Sequence, residues 1–373
     1  MRRSRKIVLA GVAVVLGGMA LKVALTPVPT LKLHGHAIHG AYHVHSTKSD
    51  GRGSPDHIAR AAARDGLDFV ILSDHNVLAP ALLGMHDGVL VIPATEESTP
   101  FGHVISLGAK RALAWKEKKV APLAAIRGAD GVPMLAHPLN RRRPWTDWGE
   151  IGQARGYETL SYDDLWRNAL HAPWSNGLIV GALELPFNRA LAVTQILRRP
   201  DDELAKFDAL RQSQPLVQLC SVDAHGIPDY RSVLGMMSMY LDDVTVIHGP
   251  EDAPNVLASL ESGHAFCAVD AFASGAGFSF HATAEGRTTL NEGDEGAAGG
   301  RILAVTLPYG AKSLPAWVHF FRDGKELLKA PGALQLAAPG PGDYRVEVWT
   351  KLPGAFYRGP KVPWILSNPI RLR

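Results

Sequence analysis

Cysteine is nearly absent from this chain of 373 residues: Cys220 and Cys267 are the whole complement, and no Cys-x-x-Cys occurs. Thiolate zinc modules are thereby excluded, so any metal must rest on nitrogen and oxygen donors. Both cysteines lie in apolar runs and read as buried thiols, with one disulfide as the alternative. An excess of one charge is also missing. The formal net charge is +3, from 39 basic and 36 acidic residues. That is far from the balance of a dedicated nucleic-acid binder, and no nucleic-acid partner is expected. The chain has no helical repeat and no long low-complexity segment.

What is present is globular. Hydrophobic residues make up 46% and charged residues 20%, enough apolar surface for a large core. The length exceeds one ordinary domain and suits a barrel of ~200–250 residues with something smaller attached. The long apolar run lies at the start. Arg2-Arg3-Ser4-Arg5-Lys6 precedes the uncharged stretch Ile7 to Leu21, followed by Lys22. A basic segment before an apolar core is an export pattern. It reads as an uncleaved inner-membrane anchor with its basic end in the cytoplasm, or as a cleaved signal peptide. Either places the body of the protein outside the cytoplasm. Residues 1–30 are this segment and its linker, which ends in Thr26-Pro27-Val28-Pro29-Thr30.

Strand and helix patterns alternate after the linker. Ser54 can cap a helix that has Pro55 in its first turn and ends at Gly66. Short apolar runs read as buried strands at Leu67–Ser73, Val89–Ala94, His103–Leu107, Val132–Ala136, Leu178–Leu185 and Leu216–Val222. Such units imply a mostly parallel sheet. From residue 277 the pattern changes to alternating runs between Gly/Pro turns, as in Arg301–Leu307, Trp317–Phe321 and Tyr344–Trp349. The expected division is therefore 31–276 as a β/α barrel and 277–373 as an antiparallel β-sandwich.

Nine candidate metal ligands follow one another in order: His43, His45, Asp50, His75, Glu97, His103, His137, Asp223 and His225. Most stand at the C-terminal ends of the expected strands, where barrel enzymes keep their chemistry. His43 and His45 are two apart, as are Asp223 and His225, and on a strand such pairs share one face. Imidazoles mixed with carboxylates suit a cluster of divalent ions that activates water for hydrolysis. His34, His36 and His39 form another His-rich run but lack a following Asp-Gly; they read as a solvated approach to the barrel. Asp74 could orient His75 or another ligand. Arg141, Arg142 and Arg143 follow the His137 strand end and could hold an anionic substrate. Glu184 and Asn188, near the end of an expected strand, could reach the same site.

These residues resemble the PHP (polymerase and histidinol phosphatase) superfamily of metallohydrolases. The motifs are His43-x-His45 with Asp50-Gly51, Ser73-Asp74-His75-Asn76, an acidic residue before Gly102-His103, Ala136-His137-Pro138 and Asp223-Ala224-His225. Within it the chain is similar to an exported, carbaryl-hydrolase-like branch through Pro363-Trp364-Ile365-Leu366-Ser367-Asn368-Pro369-Ile370. The resemblance implies a distorted (β/α)7 barrel carrying two or three ions, Zn, Mn or Fe. It implies that His43, His45, Glu97 and Asp223 hold one ion. Glu97, His103 and His137 would hold a second, and Asp50, His75 and His225 a third. Glu97 is chosen over Glu96 for its distance to Thr99, although Ser98 departs from the usual apolar residue.

The expected activity is metal-dependent hydrolysis by a metal-bridging hydroxide, with Asp223 or His225 moving the proton. A small-molecule phosphoester ranks first as substrate and a carboxylester or carbamate second. The alternative of another class is a cell-envelope binding protein with a structural metal site.

Overall fold

The computed structural model describes residues 2–27, 37–113, 115, 121–175, 177–227, 229–338, 340–356 and 359–373, with the backbone alone for residues 2–8. Val28 to Thr30 of the expected linker, His34 and His36 lie outside the described residues. The chain opens with a helix, α1 (Arg2–Leu25). Strands β1 (His39–Val44), β2 (Phe69–Leu72), β3 (Gly84–His86), β4 (Val89–Pro93), β5 (Thr95–Thr99) and β6 (Gly102–Leu107) follow. Next come β7 (Val132–Leu135), β8 (Gly156–Ser161), β9 (Val217–Ser221), β10 (Ser238–Leu241) and β11 (Ala265–Ala268). Among them lie α2 (Pro55–Asp65), α3 (Pro122–Gly128), α4 (Tyr162–His171), α5 (Leu178–Glu184), α6 (Arg189–Thr194), α7 (Asp201–Arg211) and α8 (Ala253–Ser262). The regular elements of the last hundred residues are almost all strands. They give β12 (Ser279–Thr283), β13 (Leu290–Asn291), β14 (Glu295–Gly296), β15 (Ile302–Thr306) and β16 (Trp317–Arg322). The chain ends with β17 (Lys325–Pro331), β18 (Leu334–Ala337), β19 (Gly342–Lys351), β20 (Lys361–Ser367) and β21 (Ile370–Leu372).

This is a mixed α/β protein with three sheets among the described residues. One, five-stranded, runs β5-β6-β7-β8-β9; a second, four-stranded, runs β13-β12-β15-β18. The third, twelve-stranded, contains β3-β4-β2-β1-β10-β11 and continues through β20 into the C-terminal strands. The mostly parallel arrangement expected for the barrel region is only partly present. The pairs β1–β2, β2–β4, β7–β8 and β8–β9 are parallel, whereas β5–β6, β6–β7, β1–β10 and β10–β11 are antiparallel. Two isolated bridges join the five-stranded sheet to the large one, Val44 with Ala224 and His75 with Glu96. Both seams lie beside candidate ligands.

Local sequence explains α2 well. Ser54 Oγ accepts the His57 N–H, Pro55 opens the helix, and Gly66 at φ 78° closes it, as cap chemistry requires. The apolar run Leu178–Leu185, expected as a strand, is instead α5. A short apolar run fits a buried strand and a buried helical turn equally well. The strand β8 was not expected. Its sequence Gly-Tyr-Glu-Thr-Leu-Ser is too polar to stand out, yet every residue in it is buried.

The cysteines are paired, not free thiols: Cys220 on β9 and Cys267 on β11 form a disulfide with a Cα–Cα distance of 5.7 Å. The 47-residue separation makes such a link worth about 4 kcal/mol through loop-closure entropy. The C-terminal strands are clamped to the same place. Asn368 Oδ1 accepts the Gln218 N–H at 2.6 Å, and its Nδ2 donates to Gln218 and Ala265 carbonyls. Trp364 is fully buried and donates to the Ala273 carbonyl at 2.7 Å. An ion network of Arg345 with Asp208 and Glu347, and of Arg199 with Glu347, ties α7 and its approach to β19. Phe280 of the four-stranded sheet meets Phe320 of the large sheet edge-on at 6.1 Å.

Helix α1 meets the body at its C-terminal end. Val23 packs with Leu191 and Ala355, and Asn188 Nδ2 donates to the Val23 and Thr26 carbonyls. Its apolar residues Leu9, Val14, Leu16 and Leu21 are exposed. No helix among the described residues is long and apolar enough to cross a membrane.

Candidate metal centre

Strand ends and the turns after them converge on one point. His43 lies in β1, His45 just after it, His75 after β2, His137 after β7, and Asp223 and His225 after β9. His103 instead opens β6. Because β6 runs antiparallel to β5 and β7, its beginning reaches the same rim as the ends of the others. Three of these residues hold a positive φ without being glycine: His43 at 66°, His137 at 30° and Asp223 at 45°. The left-handed turn redirects each side chain into the interior, at a cost of about 1–3 kcal/mol apiece.

Glu96, not Glu97, lies at the centre. Its Oε2 stands 3.2 Å from His43 Nε2, 3.2 Å from His45 Nε2 and 3.0 Å from His75 Nδ1. Its Oε1 stands 2.8 Å from His103 Nδ1 and 3.1 Å from His137 Nε2. Alternation along β5 turns Glu97 to the opposite face. There its carboxylate accepts the Leu113 N–H at 3.0 Å and the Trp115 indole N–H at 2.7 Å. Asp223 completes the interior: Oδ1 is 3.3 Å from His43 Nε2 and 3.2 Å from His45 Nε2, and Oδ2 is 3.9 Å from His137 Nε2. Nearer the surface, Asp50 Oδ2 lies 3.6 Å from His75 Nε2 and 3.4 Å from His225 Nε2. Eight of the nine expected ligands thus come together, with Glu96 taking the place of Glu97.

The surrounding residues hold this set in place. Glu158, fully buried on β8, accepts His43 Nδ1–H at 2.7 Å through Oε1. Its Oε2 accepts the His137 N–H at 2.8 Å and the Ser221 hydroxyl at 3.0 Å. This leaves His43 Nε2 facing the cluster. A buried carboxylate in a short strand was the signal that could have revealed Glu158, since such groups are rare without a partner. Asp74 does not orient His75. It accepts the Ser46 N–H, the Ser46 hydroxyl and the Ser49 hydroxyl at 2.7–2.8 Å, fixing the turn that carries Asp50. That turn is tight: a Cβ on Gly51 would stand 2.2 Å from the His45 carbonyl oxygen.

Burial opposes protonation of His43, but Asp223, Glu158 and Glu96 outweigh it and hold its pKa well above the ordinary value. The same contest leaves His45 at about 9, through Asp223 and Glu96, and His137 at about 10, through Glu96. Burial would raise Glu96 and Asp223, yet the imidazoles hold both well below the usual carboxylate range. His75 is lowered by burial, which Glu96 does not offset.

The donor set fits divalent ions. Glu96 Oε2, Asp223 Oδ1, His45 Nδ1 and His137 Nδ1 are buried without a well-formed hydrogen bond, and His43 Nε2 and His45 Nε2 stand 3.1 Å apart. Ring nitrogens that close repel unless a proton or cation lies between them. Four overlapping groups have ligand atoms within 4.8 Å of one another. They are His43-His45-Glu96, His43-His137-Asp223, His75-Glu96-His103 and His45-Asp50-His75-His225. Glu96 belongs to two of the three interior groups and Asp223 to the other, and His43 links the two.

The other expected site residues divide. Arg142 and Arg143 line the polar cavity over the cluster, a space of about 360 Å³. Their N–H groups donate to Asn140 Oδ1, which orders the loop. Arg141 is exposed and is not part of that lining. Glu184 is buried on α5 and Asn188 caps α6; neither lines the cavity. Their expected strand is a helix, which points them elsewhere. Arg167 and Asp163, an ion pair one turn apart on α4, do line it and were not foreseen. His39, expected to be solvated, is buried against Tyr240 and bonded to Asp68.

No family model matches the chain, and no curated protein matches it. Among solved structures, it is similar to a two-domain protein from Bacteroides vulgatus containing a predicted PHP-like metal-dependent phosphoesterase. That match has 14% identity and a TM-score of 0.41 and covers 91% of this chain and 97% of the other. It is also similar to a candidate metal-dependent phosphoesterase from Bifidobacterium adolescentis. There the identity is 15% and the TM-score 0.29, over 50% of this chain and 87% of that one. Likenesses this loose fix neither family nor activity.

Proposed function

We propose that this chain is an exported, membrane-tethered metal-dependent phosphoesterase of the PHP type. One observation carries the reading: Glu96 puts one oxygen among His43, His45 and His75 and the other between His103 and His137. A single carboxylate so placed would serve two neighbouring ions. His43, His45, Glu96 and Asp223 would hold one, Glu96, His103 and His137 the second, and Asp50, His75 and His225 a third. Divalent ions there would acidify a water and neutralise charge on the substrate.

The chain's own residues supply the rest. Arg142, Arg143 and Arg167 surround the polar cavity and would bind the non-bridging oxygens of a phosphoester, a charge-assisted contact. This cationic mouth ranks a phosphoester above a carboxylester or carbamate. His225 Nδ1 donates to the Asp223 carbonyl at 3.0 Å, so its Nε2 is held toward the cavity. Asp223 Oδ2 is placed to take a proton from water and return it to the leaving group; His225 Nε2 would do so in its place when it does not ligate an ion. The disulfide between β9 and β11 suits an oxidising compartment, and the exposed apolar residues of α1 suit a membrane anchor. The sheets joined at the two seams are read as the distorted (β/α)7 barrel, and the strands from 279 onward as its sandwich.

The test is metal analysis of purified protein followed by a panel of phosphoesters and carboxylesters. More than one equivalent of transition metal and turnover of phosphoesters, both lost in His43→Ala and Asp223→Asn, are expected. Protein that retains no metal after reconstitution would overturn the reading.

A further inference from the structure

Beside the polar cavity lies a larger one of about 640 Å³, within the ~300–1,000 Å³ range of small-molecule sites. Its walls are apolar: Trp166 and Leu170 from α4, Leu178 from α5, Leu185 just after it, Val193 from α6 and Ile196 beyond it. The two cavities are continuous. Asp50, Asp163, Arg167, Asp223 and His225 line both, so a molecule seated over the cluster has an apolar chamber on one side and arginines on the other. The hydrolytic reading above makes no use of this chamber. Part of that lining is open to solvent: Leu170 and Ile227 are half or more exposed. Helix α1, whose outward residues are apolar as well, docks against Leu191 of α6.

We propose that the substrate is an amphiphilic phosphoester whose alkyl chain fills this chamber while its phosphate sits over the cluster. The proposal rests on the phosphoesterase reading for its head group and on the chamber alone for its tail. Water in an apolar chamber makes few hydrogen bonds, so a chain that displaces it gains nearly the full burial energy. Each fully buried methylene is worth about fourfold in affinity.

The experiment uses the metal-reconstituted full chain. Two series are compared, each with methyl, butyl and octyl members: alkyl p-nitrophenyl phosphates for turnover and non-hydrolysable alkyl phosphonates for calorimetric binding. A rise of at least about thirtyfold from methyl to octyl is expected in kcat/KM and in affinity, allowing for incomplete burial of the chain. Ala182→Trp and Leu185→Asp, at exposed positions of the chamber wall, should each collapse the octyl-to-methyl ratio. An octyl-to-methyl ratio within threefold in both series overturns the proposal and leaves the phosphoesterase reading standing. Chain-dependent phosphonate binding without turnover of any ester upholds the chamber and overturns the phosphoester chemistry. A dodecyl ester held in phosphatidylcholine vesicles distinguishes the source: turnover faster than for dissolved octyl ester marks the membrane, and slower turnover marks a free amphiphile.

Discussion

Replacing Glu96 by Gln should empty the metal centre, whereas the same change at Glu97 should leave it full. Glu96 and Asp223 are the carboxylates of the interior groups of candidate ligands among the described residues. Both its oxygens are committed, at 3.0–3.2 Å to three imidazoles and 2.8–3.1 Å to two more. A charge-assisted contact is worth about 1.5–3 kcal/mol, so losing the charge toward two ions costs about 3–6 kcal/mol. That corresponds to roughly a hundred- to ten-thousandfold weaker retention of the pair. Glu97 faces away and serves Leu113 and Trp115. Its amide replacement keeps one acceptor and turns an N–H₂ toward a donor, which costs about 1–2 kcal/mol of stability and no metal. Metal content after dialysis, apparent affinity by chelator competition, and Tm separate the two. Equal metal loss in Glu96→Gln and Glu97→Gln would refute the placement of β5 from which the site is built.

Two further outcomes follow from single contacts. Glu158→Gln should weaken metal binding about ten- to a hundredfold with the fold intact, because one amide oxygen cannot accept from both His43 Nδ1–H and the His137 N–H and the charge that supports His43 is lost; unchanged chelator competition would count against this. Asp65 is raised to about 6 by burial, against the pull of the Gly235 N–H and Arg231. With a raised pKa the folded state binds this proton more tightly, so the stability contribution falls as pH rises from about 4 to 6 and is flat beyond. Asp65→Asn should therefore match wild type near pH 4 and exceed it at pH 8, by about 1–2 kcal/mol after solvent screening of a half-buried group. A pH-independent difference in Tm would exclude this.

The ligand set was legible because rim residues repeat a simple rule. A polar residue stands at the end of an apolar strand, and His43/His45 and Asp223/His225 share a face through two-residue spacing. The rule fails where two acids are adjacent. Glu96 and Glu97 differ only in strand phase, and phase is fixed by pairing of β5 with β6, a tertiary fact. Glu158 was hidden for a related reason: its strand is polar in sequence and apolar only in its surroundings. Leu178–Leu185 shows the opposite failure, an apolar run whose length decides nothing between helix and strand. The pairing of Cys220 with Cys267 depends on β9 lying against β11, which no spacing along the chain reveals. Arg167 and Asp163 read as an ordinary i,i+4 surface pair until α4 is seen to overhang the cavity.

The centre and the closure of the fold depend on the same contacts. His45 N–H bonds to the Ala224 carbonyl at 3.0 Å and Ala224 N–H to the His43 carbonyl at 3.3 Å, so the seam between the sheets runs between His43 and Asp223. Both residues hold left-handed backbone there, and their side chains are buried in the cluster, where desolvation opposes their charges. Left alone, such a seam would open, because strain and desolvation both act on it. It is held closed from behind: the Cys220–Cys267 disulfide lies three residues before Asp223, and Asn368 bonds the backbone of Gln218 on the same strand. The C-terminal strands therefore do more than decorate the sheet. Through Asn368 they fix the strand that delivers Asp223 and His225, which ties the geometry of the metal centre to a segment more than a hundred residues downstream.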